Sequence, residues 1–185
     1  MPRWCWRDAA RSVATDGAGH CYVTRSYQEV AQFGSTQLKG GTLAELFLTK
    51  HDGDGKVLWA RNSGGGEHAV GNGVAADDQG NVWCVGDYYP GSPLDRSNSD
   101  GSIARFDPAG AIVWYRVVGG SQPDSAQAAA LDKAGNCYVT GLFTGTAKFG
   151  SVTLASRGAR DIFVLKYDPS GKVIWAQRGA GKMMT

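Results

Sequence analysis

The chain repeats itself, and a repeat restricts the possible folds more than any single motif does. Asp16-Gly-Ala-Gly-His-Cys-Tyr-Val-Thr, Asp77-Asp-Gln-Gly-Asn-Val-Trp-Cys-Val and Asp132-Lys-Ala-Gly-Asn-Cys-Tyr-Val-Thr read in parallel. A second set runs Lys50-His-Asp-Gly-Asp-Gly-Lys-Val-Leu-Trp-Ala, Arg105-Phe-Asp-Pro-Ala-Gly-Ala-Ile-Val-Trp-Tyr and Lys166-Tyr-Asp-Pro-Ser-Gly-Lys-Val-Ile-Trp-Ala. The offsets agree: Asp52 to Trp59, Asp107 to Trp114 and Asp168 to Trp175 are each 7 residues, and Asp16 to Asp132 is 116, twice 58. The middle unit is shorter by six residues. It lacks the Phe33-Gly34…Leu38 segment, which returns as Phe149-Gly150…Leu154.

Each unit reads as all-β. Short β-branched and aromatic runs such as Cys21-Tyr-Val-Thr, Ile103-Ala-Arg-Phe and Ile162-Phe-Val-Leu are bounded by Gly, Asp and Pro, the pattern of strands and turns. No stretch sustains a 3.6-residue period, so no significant helix is expected. The pattern predicts four strands per unit of about 58 residues, in a single repeat domain over 1–185 with units near 8–66, 67–122 and 123–180. Asp-x-x-Gly recurs six times, at Asp16, Asp52, Asp77, Asp107, Asp132 and Asp168. Aspartate at the first turn position accepts backbone N–H bonds, and glycine supplies the positive φ that closes a hairpin. That role absorbs much of a glycine content of 27 in 185 residues, about twice the usual ~7% share.

Composition excludes several classes. A net charge of +2 is too mild to imply nucleic acid or an anionic membrane as partner. No apolar run approaches the ~18 residues of a membrane span, and the first residues lack the apolar stretch of a secretory signal. The four cysteines, Cys5, Cys21, Cys84 and Cys137, have no C-x-x-C spacing and are expected to be free, buried thiols.

The run D-x-x-G-N-x-Y-V-T-G-x-F…F-G…L…D-I-F-V-x-K-Y-D-x-x-G-x-V-x-W-A, nearly complete from Asp132 to Ala176 and present with changes from Asp16 to Ala60, resembles the bacterial β-propeller repeat family labelled SBBP. The resemblance covers roughly 170 residues. The middle unit departs from it at Tyr88-Tyr-Pro-Gly-Ser-Pro-Leu-Asp-Arg-Ser-Asn-Ser. The resemblance implies β-propeller-type blades of four antiparallel strands, often in bacterial secreted or cell-surface proteins, with motif residues that are structural. Propellers hold four to eight blades, so three units imply either self-association, for example two chains in one ring, or additional blades. A β-trefoil, also built from three four-stranded units, is the alternative fold; its repeats are usually shorter.

Function is less legible. No nucleophile elbow, phosphate loop or H-E-x-x-H is present, so no catalytic residue, cofactor or metal is assigned. Asp52-Gly-Asp-Gly lacks the later ligands of a calcium loop, and His20, His51 and His68 lack zinc-type spacing. The Trp59, Trp114 and Trp175 series reads as packing. Two groups stand out as candidate sites. Asp87, Tyr88, Tyr89 and Arg96 lie where the middle unit breaks the repeat, a place suited to recognising a glycan or protein ligand. Glu45, Asp100 and Asp161 recur once per unit, 7 residues before the second turn, and are read as a ring of carboxylates or as local caps. The resulting expectation is a non-catalytic binding or scaffold module, with a propeller-fold carbohydrate-active enzyme or a ligand-free structural fragment as alternatives.

Overall fold

The computed structural model describes residues 9–62, 68–90 and 98–179. Among these residues every regular element is a strand: β1 Ala9–Thr15, β2 Cys21–Tyr27, β3 Val30–Phe33, β4 Thr36–Lys39, β5 Glu45–His51, β6 Val57–Asn62, β7 His68–Ala76, β8 Val82–Tyr89, β9 Asp100–Phe106, β10 Ile112–Gly120, β11 Ser125–Leu131, β12 Cys137–Phe143, β13 Thr146–Phe149, β14 Val152–Ala155, β15 Asp161–Tyr167 and β16 Val173–Gly179. Each unit supplies one antiparallel run of four: β1-β2-β5-β6, β7-β8-β9-β10 and β11-β12-β15-β16.

The six aspartate turns are built alike. In each, the glycine N–H donates to the aspartate carbonyl at 2.9–3.2 Å. At Asp107, one carboxylate oxygen accepts the N–H groups of Ala109 and Ala111 at 2.9 and 2.8 Å. The six glycines share one left-handed conformation, φ +76° to +84°, which any side chain would strain.

The outer units hold two strands more than the four expected. The Phe-Gly segments are hairpins, β3–β4 and β13–β14, each turning on a two-residue loop whose first residue, Gly34 or Gly150, has positive φ of 56° or 61°. Such loops match the twist of paired strands. The second hairpin does not stay with its own sheet. Lys148 and Ala147 of β13 pair with Gly119 and Gly120 of β10, so the middle sheet grows to six strands. The hairpin of one unit thus extends the sheet of the unit before it.

Bulges fall at equivalent places. In β1, β7 and β11 the register slips at Arg11, Asn72 and Gln127. In β6, β10 and β16 it slips at Leu58, Val113 and Ile174, which accordingly stay exposed. A bulge re-aims the residues beside it; in β6 and β10 the tryptophan that follows, Trp59 or Trp114, reaches the next sheet.

The core lies between sheets. Tyr22, Leu46 and Leu48 of the first sheet pack against Val82, Cys84 and Phe106 of the second. Trp83 and Ile103 of the second pack with Cys137, Val139 and Leu165 of the third. Trp83 meets Trp114 edge-on at 4.7 Å between ring centres. The three cysteines among the described residues are free, and burial pushes the Cys84 thiol up to about 12, against a hydrogen bond with Thr24. Among the described residues no helix is long and apolar enough to cross a membrane.

Candidate functional site

A cleft of about 210 Å³ opens between the second and third sheets, lined by Asp87, Tyr89, Ser99, Asp124, Ser125 and Arg160. Strand alternation decides which candidate residues reach it. The first of these residues read as an irregular loop, but β8 runs on through Tyr89. Asp87 and Tyr89 therefore share a face and line the cleft, whereas Tyr88 points to the opposite face and is not part of it. Arg96 lies outside the described residues.

Asp87 is tied in place. Its Oδ1 accepts Ser125 Oγ–H at 2.6 Å and its Oδ2 accepts the Tyr89 hydroxyl at 3.3 Å. The Tyr89 ring lies 4.7 Å from the His68 ring, and His68 Nδ1 sits 2.8 Å from the Ala44 carbonyl. The tyrosine body is therefore structural, and its hydroxyl faces the cleft.

Asp124 escaped the sequence reading. It is buried, and its Oδ2 and Oδ1 accept the N–H groups of Gly120 at 2.7 Å and Thr144 at 2.9 Å. Burial pushes its carboxyl up to about 6; the bonds from Thr144 and Gly120 oppose the rise, neighbouring Asp100 adds to it and Arg160 lowers it. Burial also raises Asp100. The two carboxylates crowd Gly119: a Cβ there would overlap Asp100 and stand 2.6 Å from Asp124 Oδ2. A signal existed, since Asp8 precedes Asp124 by the same 116-residue offset.

The three recurring acids begin β5, β9 and β15, one in each sheet. Glu45 accepts the Gly41 N–H at 2.9 Å, with the Tyr27 hydroxyl and Asn62 Nδ2 at 3.3 Å. Asp161 accepts the Arg157 N–H at 2.7 Å and Arg178 at 3.4 Å. Glu45 and Asp161 thus cap the loops that lead into their strands, and Asp100 joins Asp124 beside the cleft. Among the described residues no group of three or more His, Cys, Asp or Glu could hold a metal ion.

A second polar row links the first strands. Arg11 and Arg25 donate to Asn72 Oδ1 at 2.9 and 3.2 Å, and Asn72 Nδ2 donates to the Ala126 carbonyl at 3.0 Å. The bulge residue Asn72 therefore joins all three sheets, and Gln127, its counterpart in β11, borders the cleft.

The contact between sheets is made twice in the same way. Trp59 Nε1 donates to the Pro108 carbonyl, and Trp114 Nε1 to the Pro169 carbonyl, both at 3.3 Å. In each case the tryptophan ring stacks on the next unit's turn glycine, Gly110 or Gly171.

No family model matches the chain. The chain is similar to a protein named regulatory protein FlaEY from Caulobacter vibrioides, 26% identical over an alignment of 176 residues that covers 88% of this chain and 18% of that protein. The chain thus spans about a fifth of the length of the curated relative it matches.

Proposed function

We propose that the chain is a non-catalytic binding or scaffold module of β-propeller type that associates with itself. The observation that carries this reading is the twice-used contact in which a tryptophan of one sheet docks on the aspartate turn of the next. A contact reused with the same donor and acceptor generates a regular array of sheets, and such arrays leave unsatisfied ends until they close or are capped. Separate antiparallel sheets, each built on a run of four strands of one unit, the middle one with a hairpin added, favour blades over a β-trefoil, whose hairpins share one closed barrel. The likeness to the SBBP repeat supports the same architecture. Similarity to a protein whose name is regulatory fits a role in binding.

Size-exclusion chromatography with light scattering tests this. The expected species at micromolar concentration has twice the 19.6 kDa chain mass, and a compact species of single-chain mass at every concentration overturns self-association. The ligand end of the reading rests on the cleft at Asp87 and Tyr89. A glycan screen with Tyr89→Ala as the paired control decides it: a glycan retained by the parent and lost by the variant is the expected result.

A second reading, a propeller-type hydrolase acting on glycans, draws on Asp124, whose carboxyl burial pushes up to about 6, the direction that suits a general acid. Turnover of chromogenic glycosides that disappears in Asp124→Asn would establish it over the first.

A further inference from the structure

We infer that the open face of the third sheet docks on the open face of the first sheet of a second copy, with Trp175 seated on the Asp52–Gly55 turn. The inference rests on the self-association proposed above and specifies its surfaces.

Three observations carry it. First, equivalent residues differ in burial only by position in the array. Tyr22, Thr24 and Leu46 are buried by the second sheet, yet their counterparts Tyr138, Thr140 and Ile162 are not, and Ile162 is 49% exposed against 2% for Leu46. Second, the aromatic pair that makes the contact is already assembled in the third sheet. Tyr138 and Trp175 lie 6.0 Å apart, as Tyr22 and Trp59 do at 6.1 Å. Third, among the described residues nothing fills the complementary seat in the first sheet. Gly110 and Gly171 each face a tryptophan, whereas Gly55, with the same φ of +83°, meets nothing within 4 Å among the described residues. By the repeat, the acceptor for Trp175 Nε1 is the Gly53 carbonyl, the counterpart of Pro108 and Pro169.

The occupant follows from continuity with the contacts already made. The third sheet offers the donor face and the first sheet offers the acceptor face, so two copies satisfy each other in both directions. A heterologous contact of this kind closes into a ring or runs on as a filament. Two copies give six sheets, within the four to eight that close a propeller. Val13, 64% exposed on β1, lies on the acceptor face, opposite Ala14, which packs toward the second sheet.

Charge placed on each face separates the possibilities. In light-scattering experiments on the full chain, Ile162→Arg and Val13→Arg are each expected to be monomeric while keeping the parent circular dichroism, because both side chains are exposed. Mixing the two is expected to restore a species of two chains, since one undamaged contact remains. Trp175→Phe, which keeps an aromatic ring but loses the indole N–H donor, is expected to weaken association roughly fivefold to tenfold. A dimeric parent in which Val13→Arg has no effect, or in which mixing restores nothing, overturns this docking and leaves self-association standing through another surface. A monomeric parent overturns both.

Discussion

At the level of single residues, the turn glycines separate two effects that usually arrive together. Gly19 and Gly110 have nearly the same φ, +83° and +82°. Among the described residues a Cβ on Gly19 would meet nothing within 4 Å, whereas one on Gly110 would stand 3.1 Å from the Trp59 ring. Gly19→Ala is therefore expected to lose about 1 kcal/mol from backbone strain alone, and Gly110→Ala clearly more, measured by urea unfolding. Equal losses would mean that the ring yields freely.

The carboxyls carry opposite pH signatures. Burial pushes Asp16 up, but the N–H and ring of His20 and the Tyr22 hydroxyl outweigh it and hold the carboxyl at about 2. Its stabilising contribution is present above the unfolded value of ~3.9 and is lost as pH falls toward 2. Asp124 behaves in reverse. Between ~3.9 and about 6 the unfolded chain has released a proton that the folded chain keeps, so stability declines as pH rises through that window. Unfolding midpoints recorded from pH 4 to 7 are expected to show this decline in the parent and a flatter profile in Asp124→Asn.

At the level of elements, the two hairpins have one design and two environments. Phe149 is fully buried, 4.8 Å from the Phe163 ring and 6.1 Å from Phe143. Its counterpart Phe33 lies 4.9 Å from Phe47 but is only partly buried, on the open face of the first sheet. Phe149→Ala is expected to cost about 3–5 kcal/mol and Phe33→Ala distinctly less, judged by denaturant midpoints. The repeat offset located both segments, and Phe-Gly as punctuation marked where they turn. What the spacing left hidden is that β13 pairs with β10. Strand pairing across units depends on which edge is within reach, and no local propensity encodes that. The same limit explains β8: Asp87, Tyr88 and Tyr89 read as a loop because the middle unit leaves the repeat there, yet pairing with β9 and β7 carries the strand to Tyr89.

For the whole molecule, position in the array sets stability. The middle sheet is covered on both faces, and β7 is buried over almost its entire length, whereas β1 and β16 carry many exposed residues. Arrays of repeats unfold from their unsupported ends. Amide exchange is therefore expected to be slowest in β7, β8 and β9 and fastest in β1 and β16 for the single chain. Slow exchange at β1 and β16 that appears only at high protein concentration would mark the docking of copies.

The sequence by itself determined the local geometry and its repetition: strands, aspartate turns with their left-handed glycines, and the tryptophan that recurs in each unit. These are short-range consequences of side-chain shape and backbone freedom, so they can be read within a few residues. Only the tertiary structure decided which faces are covered, that Asp87, Tyr89 and Asp124 meet at one cleft while Tyr88 turns away, and that Trp175 and Gly55 are, among the described residues, the open halves of a contact made twice elsewhere. Identical motifs acquire different solvation from their neighbours, and those neighbours are set by how the sheets stack.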